Sequence, residues 1–157
     1  MQSRKQPVVI LLIEDNPLEQ RLVQQTLQKR NDEIILLIVS SGEEAIKFLT
    51  NESEYTDRNV YQSADLILLD LGLPGKIDGK AILKFVRKNN ILKVKPVIIL
   101  TSSTDPKIVQ ELYRLGANAY ICKQCIQTNF EYAMNLIVEF WFEINIMPPH
   151  LEQSEKD

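Results

Sequence analysis

The chain has 157 residues, 45% of them apolar, which is the size and makeup of one soluble globular domain and leaves no room for a second full one. Its 18 Lys and Arg face 21 Asp and Glu, and a formal charge of −3 without a basic stripe excludes autonomous nucleic-acid binding from the expected functions. Two cysteines are too few for a disulfide framework, and a single histidine, His150, excludes a histidine-based metal site or catalytic triad.

In chain order, Met1 to Gln6 holds no signal-peptide core, and Val8 to Ile13 falls far short of the roughly 20 apolar residues that span a bilayer, so a cytoplasmic protein is expected. Val8 to Ile13 is instead the first of five continuous apolar runs expected to be strands buried on both faces; the others are Ile34 to Val39, Leu66 to Leu69, Val97 to Leu100 and Ala119 to Cys122. After the first run, Asn16 and Pro17 supply a cap and a first-turn proline for a helix with Leu18, Leu22, Val23, Thr26 and Leu27 on its inner stripe. A second helix follows Ser40 and Ser41, carries Glu43 and Glu44 in its first turn, buries Ala45, Phe48 and Leu49, and ends near Thr50. Asn51 to Ala64 is polar, without period, and long for a connection, so it reads as a solvated loop or a frayed extension of the second helix. Asp78 and Gly79 lead into a third helix with Ile82, Leu83 and Val86 inside. Asp105 and Pro106 open a fourth with Ile108, Val109, Leu112 and Leu115, and Gly116 suits a left-handed cap at its end. Thr128 and Glu131 have capping-box spacing before a fifth helix whose stripe is Phe130, Ala133, Met134, Ile137, Val138 and Trp141.

Five strand and helix pairs in alternation predict a three-layer α/β domain, a doubly wound, flavodoxin-like (βα)5 fold with a parallel sheet of order 2-1-3-4-5. Ligands of such sheets bind beyond the carboxyl ends of the strands. There the sequence puts Glu14 and Asp15 after strand one, Asp70 after strand three, Thr101 with Ser102 and Ser103 after strand four, and Lys123 after strand five. A strand-end Asp taken alone is commonly a helix cap, and a lone Lys is commonly solvated. Three carboxylates together repel one another and need a cation; their hard oxygens, with space left for water, favour Mg²⁺ over Ca²⁺. The chemistry that follows is phosphoryl transfer. The central Asp70 is the nucleophile, Thr101 and Lys123 stabilise the transferred oxygens, and the small Ser102 leaves room.

The motifs ILLIEDNP, LILLDLGLPGKIDG, VIILTSS and AYICK resemble those of the receiver domains of two-component response regulators, and the likeness spans Val8 to Trp141. The resemblance implies that Asp70 is the phosphoacceptor, that Asp15, Asp70 and the backbone carbonyl of Gly72 bind Mg²⁺, and that Glu14 acts through water. It further implies that Thr101 swings towards the phosphoryl group while Tyr120, at the aromatic switch position, turns inward. The alternative for Tyr120 is ordinary packing beside a strand. One departure is Gln124, where the family usually has a proline that forms a cis bond after the lysine; the loop must either strain or become trans.

Competing readings are tested by single residues. A flavodoxin would need a Ser-, Thr- or Gly-rich first loop to cradle phosphate, where Glu14 and Asp15 would repel it. An aspartate-based phosphatase would need a carboxylate at Gly72. A degenerate receiver acting as a phosphorylation-independent binding module is left open by Gln124. Cys122 and Cys125 have C-x-x-C spacing, which can mark a redox pair or half a zinc site; no second pair exists, the first cysteine ends a strand and a thioredoxin-like motif would open a helix instead, so a buried thiol is the default reading.

The receiver is expected over residues 8–142, between extensions at 1–7 and 143–157. Too little chain follows Trp141 for an output domain, so the expected role is a phosphoacceptor signalling domain, not an enzyme, whose output is protein contact. The long fifth helix running into FWFEINIMPP is similar to the small single-domain regulators paired with cyanobacterial phytochromes, which implies a phytochrome-type histidine kinase as partner. Tyr132, Phe140 and Phe142 fall off the inner stripe, and Ile144, Ile146 and Met147 extend the apolar surface beyond the helix, which predicts a homodimer through helix five and the C-terminal extension; the alternative is a tail that folds back over its own domain, turned at Pro148 and Pro149.

Overall fold

Runs of Val, Ile and Leu form five parallel strands, β1 (Val8–Ile13), β2 (Ile34–Val39), β3 (Leu66–Leu69), β4 (Val97–Thr101) and β5 (Ala119–Cys122), in the sheet order β2-β1-β3-β4-β5. The computed structural model describes residues 6–30, 33–57 and 63–149; His150, most of the 1–7 extension and the end of the 143–157 extension lie outside them. Strand four includes Thr101, one residue beyond the expected end. β1, β3 and β4 are buried along their whole length, whereas β2 and β5 are partly exposed. The expectation that all five are buried on both faces is therefore corrected: the strand order makes β2 and β5 the edges, so each has a neighbour on one side only.

Five helices cover the sheet: α1 (Pro17–Gln28), α2 (Gly42–Leu49), α3 (Gly79–Lys88), α4 (Pro106–Arg114) and α5 (Phe130–Glu139). Alternate strand residues feed two cores. Leu11, Ile13, Ile67, Leu69 and Ile99 pack with Ala45 and Phe48 of α2, Ile82, Leu83 and Val86 of α3, and Leu112 of α4. On the other face, Ile10, Leu12, Leu66, Leu68 and Ile98 pack with Val23 and Leu27 of α1 and Met134 and Val138 of α5. The caps follow the sequence: Asn16, Ser41, Asp78 and Asp105 each accept a backbone N–H from their own first turn. Gly116 takes the left-handed conformation after α4, with φ +104°.

Four local expectations are corrected. Leu18 and Leu22 are exposed, because α1 turns only Val23, Thr26 and Leu27 fully inward. Thr128 and Glu131 form no capping box: a short 3₁₀ turn, Gln127–Asn129, precedes α5, its cap Asn129 makes no side-chain bond, and Glu131 pairs with Lys29 at 2.9 Å. Phe142 is buried although α-helical phasing puts it off the stripe, since α5 continues as a π-helical turn, Phe140–Ile144, closed by the bond from Asn145 N–H to the Phe140 carbonyl at 2.7 Å. That wider turn rotates Phe142 back to the core. The stretch after α2 is not all solvated loop: a 3₁₀ turn, Ser53–Thr56, buries Tyr55 edge-on against Phe48 with ring centroids 5.4 Å apart.

The start of α3 is pressed against the chain just past β3. A Cβ at Gly79 would lie 2.3 Å from the Asp70 carbonyl oxygen and 2.7 Å from the Leu71 Cα, both backbone atoms. Helix propensity favours alanine over glycine by about 1 kcal/mol, but forcing this contact apart costs about 1 to 3 kcal/mol. Gly79→Ala is therefore expected to destabilise, read as a lower urea midpoint; an unchanged or higher midpoint would show that propensity wins and the contact is soft.

Candidate functional site

The sheet register sets the site. Ile13 of β1 lies opposite Leu69 of β3, and the Asp70 N–H donates to the Ile13 carbonyl at 3.0 Å, so Glu14, Asp15 and Asp70 leave adjacent strands together. On the other side Thr101 pairs with Cys122, and the Lys123 N–H donates to the Thr101 carbonyl at 2.8 Å, which aims Lys123 back across the edge. Carboxylate oxygens of Glu14, Asp15 and Asp70 lie within 4.8 Å of one another. Glu14 and Asp70 are buried, and Asp15 is exposed. Thr101 is buried at the end of β4 and Ser102 is exposed beside it; Ser102, Glu14 and Lys123 border a cleft of about 390 Å³ between α1 and the start of α5.

The Lys123 ammonium is the counter-charge. It donates to Glu14 at 2.6 Å, lies 3.3 Å from an Asp70 oxygen, and bonds Glu19 from the first turn of α1. Burial alone would lower the Lys123 pKa, but Glu14, Glu19 and Asp70 raise it above the ordinary lysine value, so it stays charged. Burial pushes Glu14 up to about 7; the bond from Lys123 opposes this, while Glu19 and the Asp70 charge add to it. Asp70 is also raised by burial, against the pull of Lys123 and a hydrogen bond from the Gly72 N–H. Glu19 is less buried, and its bonds to Lys123 and Glu14 outweigh desolvation and hold it below the usual carboxylate value.

Tyr120 on β5 is half-buried against the core of α2, α3 and α4, and its hydroxyl donates to the Ser103 carbonyl at 2.7 Å. Burial raises its pKa, so the phenol keeps its proton. Among the described residues there is no cis peptide, so the loop at Gln124 is trans, and Lys123 reaches Asp70 all the same. Sequence reasoning missed Glu19 and Gln20. The Gln20 amide bonds the Glu14 carbonyl and, at 3.0 Å, the Ser40 hydroxyl, tying the first two strand ends together. Their only signal was position on the first turn of α1, five and six residues past Glu14. The thiols also differ from the expected buried thiol: Cys122 is half-buried and Cys125 exposed.

The model of the response regulator receiver domain matches residues 10–135. The chain belongs to that family. It is 36% identical over 142 residues to the response regulator Rcp1 of Synechocystis sp., covering 90% of this chain and 94% of that one. Among solved structures, it is similar to the phosphorylated cyanobacterial phytochrome response regulator RcpA, with a TM-score of 0.83 and 33% identity over 92% of this chain and all of the other. It is likewise similar to the Mn²⁺-bound form of Rcp1, with a TM-score of 0.81 and 36% identity over 91% of this chain and all of the other. The order 2-1-3-4-5 is thus the receiver fold. Among the described residues no helix is long and apolar enough to cross a membrane.

Removing the ammonium tests its structural weight. In Lys123→Met, Glu14 and Asp70 lose their counter-charge in a buried setting, and stability without divalent cations is expected to fall by about 3 kcal/mol. The urea curves belong at about pH 8, where Glu14, at about 7, is ionised. Adding Glu14→Gln should recover part of the loss. Equal stability of Lys123→Met and the native chain would mean that solvent already screens the cluster.

Proposed function

We propose that the chain is a single-domain response regulator that accepts a phosphoryl group on Asp70 from a partner histidine kinase in a Mg²⁺-dependent reaction and signals by protein contact. The observation that carries this reading is the buried Asp70 carboxylate at the centre of the sheet edge, between the acidic pair and Lys123. An Asp70 oxygen attacks phosphorus, the bond from phosphorus to the donor nitrogen breaks with its electron pair returning to the imidazole, and the chain holds an acyl phosphate. Lys123 and the Thr101 hydroxyl stabilise the transferred oxygens.

The donor set fits Mg²⁺: hard oxygens crowd within 4.8 Å at a place where three carboxylates already share one ammonium. Asp15, Asp70 and the Gly72 carbonyl would hold the ion, with Glu14 acting through water; when bound, it offsets the repulsion between carboxylate and phosphate. The Mn²⁺ of the Rcp1 structure and the phosphorylated state of RcpA support this by kinship. RcpA's link to a cyanobacterial phytochrome makes a phytochrome-type kinase the proposed donor. Leu18 and Leu22, exposed on α1 with Leu22 lining the cleft, offer the donor an apolar border. In the proposed switch, Thr101 moves to the phosphoryl group and Tyr120 turns inward. The proposed receiver spans residues 8–142 with extensions at 1–7 and 143–157, works in the cytoplasm, and has no catalysis beyond its own phosphorylation and dephosphorylation.

Incubation with a small acyl phosphate and Mg²⁺ should phosphorylate the native chain and leave Asp70→Asn folded but unlabelled. Asp15→Asn should lose most of the rise in melting temperature that Mg²⁺ gives the native chain. Labelling of Asp70→Asn at the native rate would overturn the acceptor, and a native melt indifferent to Mg²⁺ would overturn the metal site.

A second copy of the chain is the proposed further partner. Tyr132, Leu136, Phe140 and Ile144 recur every fourth residue along α5 and its π-helical extension, all exposed, with Ile146 beyond them 92% exposed. Phe142 and Met147, expected in this patch, pack towards the core instead. A two-fold axis beside such a stripe lets it cover itself. Sedimentation at micromolar concentration should give a dimer for the native chain and a monomer for Leu136→Glu with Phe140→Glu. A native monomer would end the proposal.

A further inference from the structure

Cys122 closes β5 and Cys125 sits in the turn that follows, with Lys123 and Gln124 between them. The Cys125 N–H donates to the Cys122 carbonyl at 3.1 Å, the bond that closes a four-residue turn. Such a turn keeps its end Cα atoms within about 7 Å, and disulfides bridge Cα atoms about 4.4 to 6.8 Å apart. Both cysteines are free, Cys125 is exposed and Cys122 is half open to solvent. The two sulfurs are not equivalent. Cys122 Sγ accepts the thiol of Cys125 and the backbone N–H groups of Cys125 and Gln124, which lowers its pKa, while Cys125, as the donor, is raised. The only cluster of metal-ligating groups among the described residues is Glu14, Asp15 and Asp70, so nothing completes a zinc site around this pair.

We infer that Cys122 and Cys125 are a reversible dithiol/disulfide site for small-molecule disulfides, and that its oxidation repositions the Lys123 ammonium held between them. The Cys122 thiolate attacks one sulfur of the small disulfide and expels the other as a thiolate, which takes up a proton. Cys125 then loses its proton and attacks the Cys122 sulfur of the mixed disulfide, expelling the second small thiol. The chain gives up two protons and two electrons, and one small disulfide becomes two thiols. The new bond spans the turn whose second residue, Lys123, is anchored to Thr101 by its N–H and to Glu14 and Asp70 by its side chain. In this inference the cross-link alters the turn that carries Lys123, and through its ammonium the surroundings of Asp70.

The second part of this inference rests on the proposed phosphorylation of Asp70, and the test separates the two. The full chain, equilibrated with glutathione and glutathione disulfide, should lose about 2 Da and both alkylatable thiols, reversibly. Cys125→Ser should stop at the mixed glutathione adduct on Cys122, and Cys122→Ser should react much more slowly. Phosphorylation of the oxidised chain by a small acyl phosphate should be slower than that of the reduced chain by about tenfold or more, a scale typical of a displaced group at a reacting centre. The rate in Cys122→Ser with Cys125→Ser should not respond to the oxidant. Retention of both thiols in excess glutathione disulfide, or cross-linking only between chains, overturns the site. Equal rates for oxidised and reduced chain overturn its effect on Lys123. Failure of the reduced native chain to take up phosphoryl is a failure of the phosphoacceptor reading and leaves the thiol measurements standing.

Discussion

Repulsion among carboxylates at the carboxyl edge of the sheet is the constraint to which the rest of the site answers. Glu14 and Asp70 are buried within reach of Asp15, and desolvation raises both of them. An isolated buried carboxylate would simply take up a proton. Here Lys123 supplies the counter-charge, pairing with Glu14, Glu19 and Asp70. One ammonium among three partners leaves the edge net negative, which is the condition for a hard cation to bind. The burial that makes the cluster costly also makes it selective, since water cannot screen the field that a cation or a phosphoryl group meets.

The sheet makes that arrangement possible at little local expense. None of the four strand ends needs strained backbone: the positive φ angles of the described non-glycine residues fall at Asn51 and Ser53, away from the site. The charged groups are placed by register, with Asp70 and Lys123 each extending a ladder by one further N–H bond, to Ile13 and Thr101. Rigidity comes from below, where the two cores grip alternate residues of β1, β3 and β4. It comes from the side through Gly79, whose missing side chain lets α3 sit against the Asp70 carbonyl. A site built this way tolerates changes in loop length better than changes in strand register, because a one-residue slip would turn every functional side chain to the opposite face.

Much of this was legible in the sequence because it is periodic or terminal. Continuous apolar runs marked the strands, their last residues marked the edge, and Asn16, Ser41, Asp78 and Asp105 marked helix starts that the structure reproduces. What was not legible depended on contacts between elements far apart in sequence. Glu19 joins the cluster because Lys123, more than a hundred residues away, reaches it. Leu18 and Leu22 share the apolar period of α1 but are exposed, Leu22 at the cleft, and period alone cannot tell a core from a border. Phe142 defeated helical phasing because the π-helical turn, with its i to i+5 bonding, changed the pitch. Thr128 and Glu131 had capping-box spacing, yet Glu131 pairs instead with Lys29, just past the end of α1.

The bond from Tyr120 to Ser103 limits how the proposed switch can work. It joins Ser103, two residues past the end of β4, to β5, so it is the side-chain hydrogen bond that motion of the Ser102–Ser103 segment towards Asp70 would stretch. A bond of this kind contributes about 1 kcal/mol net, less than the 1.4 kcal/mol of a tenfold change in population. Breaking it alone would give only a weak response. Moving from 1:99 to 99:1 takes about 5.5 kcal/mol. The remainder must come from burying more of the half-exposed Tyr120 ring and from the new contacts of the phosphoryl group with Thr101 and Lys123. These terms arise together only when Asp70 is occupied. Because β5 leads through the Lys123 turn into α5, the proposed switch would lie one turn away from the helix that carries the exposed apolar stripe.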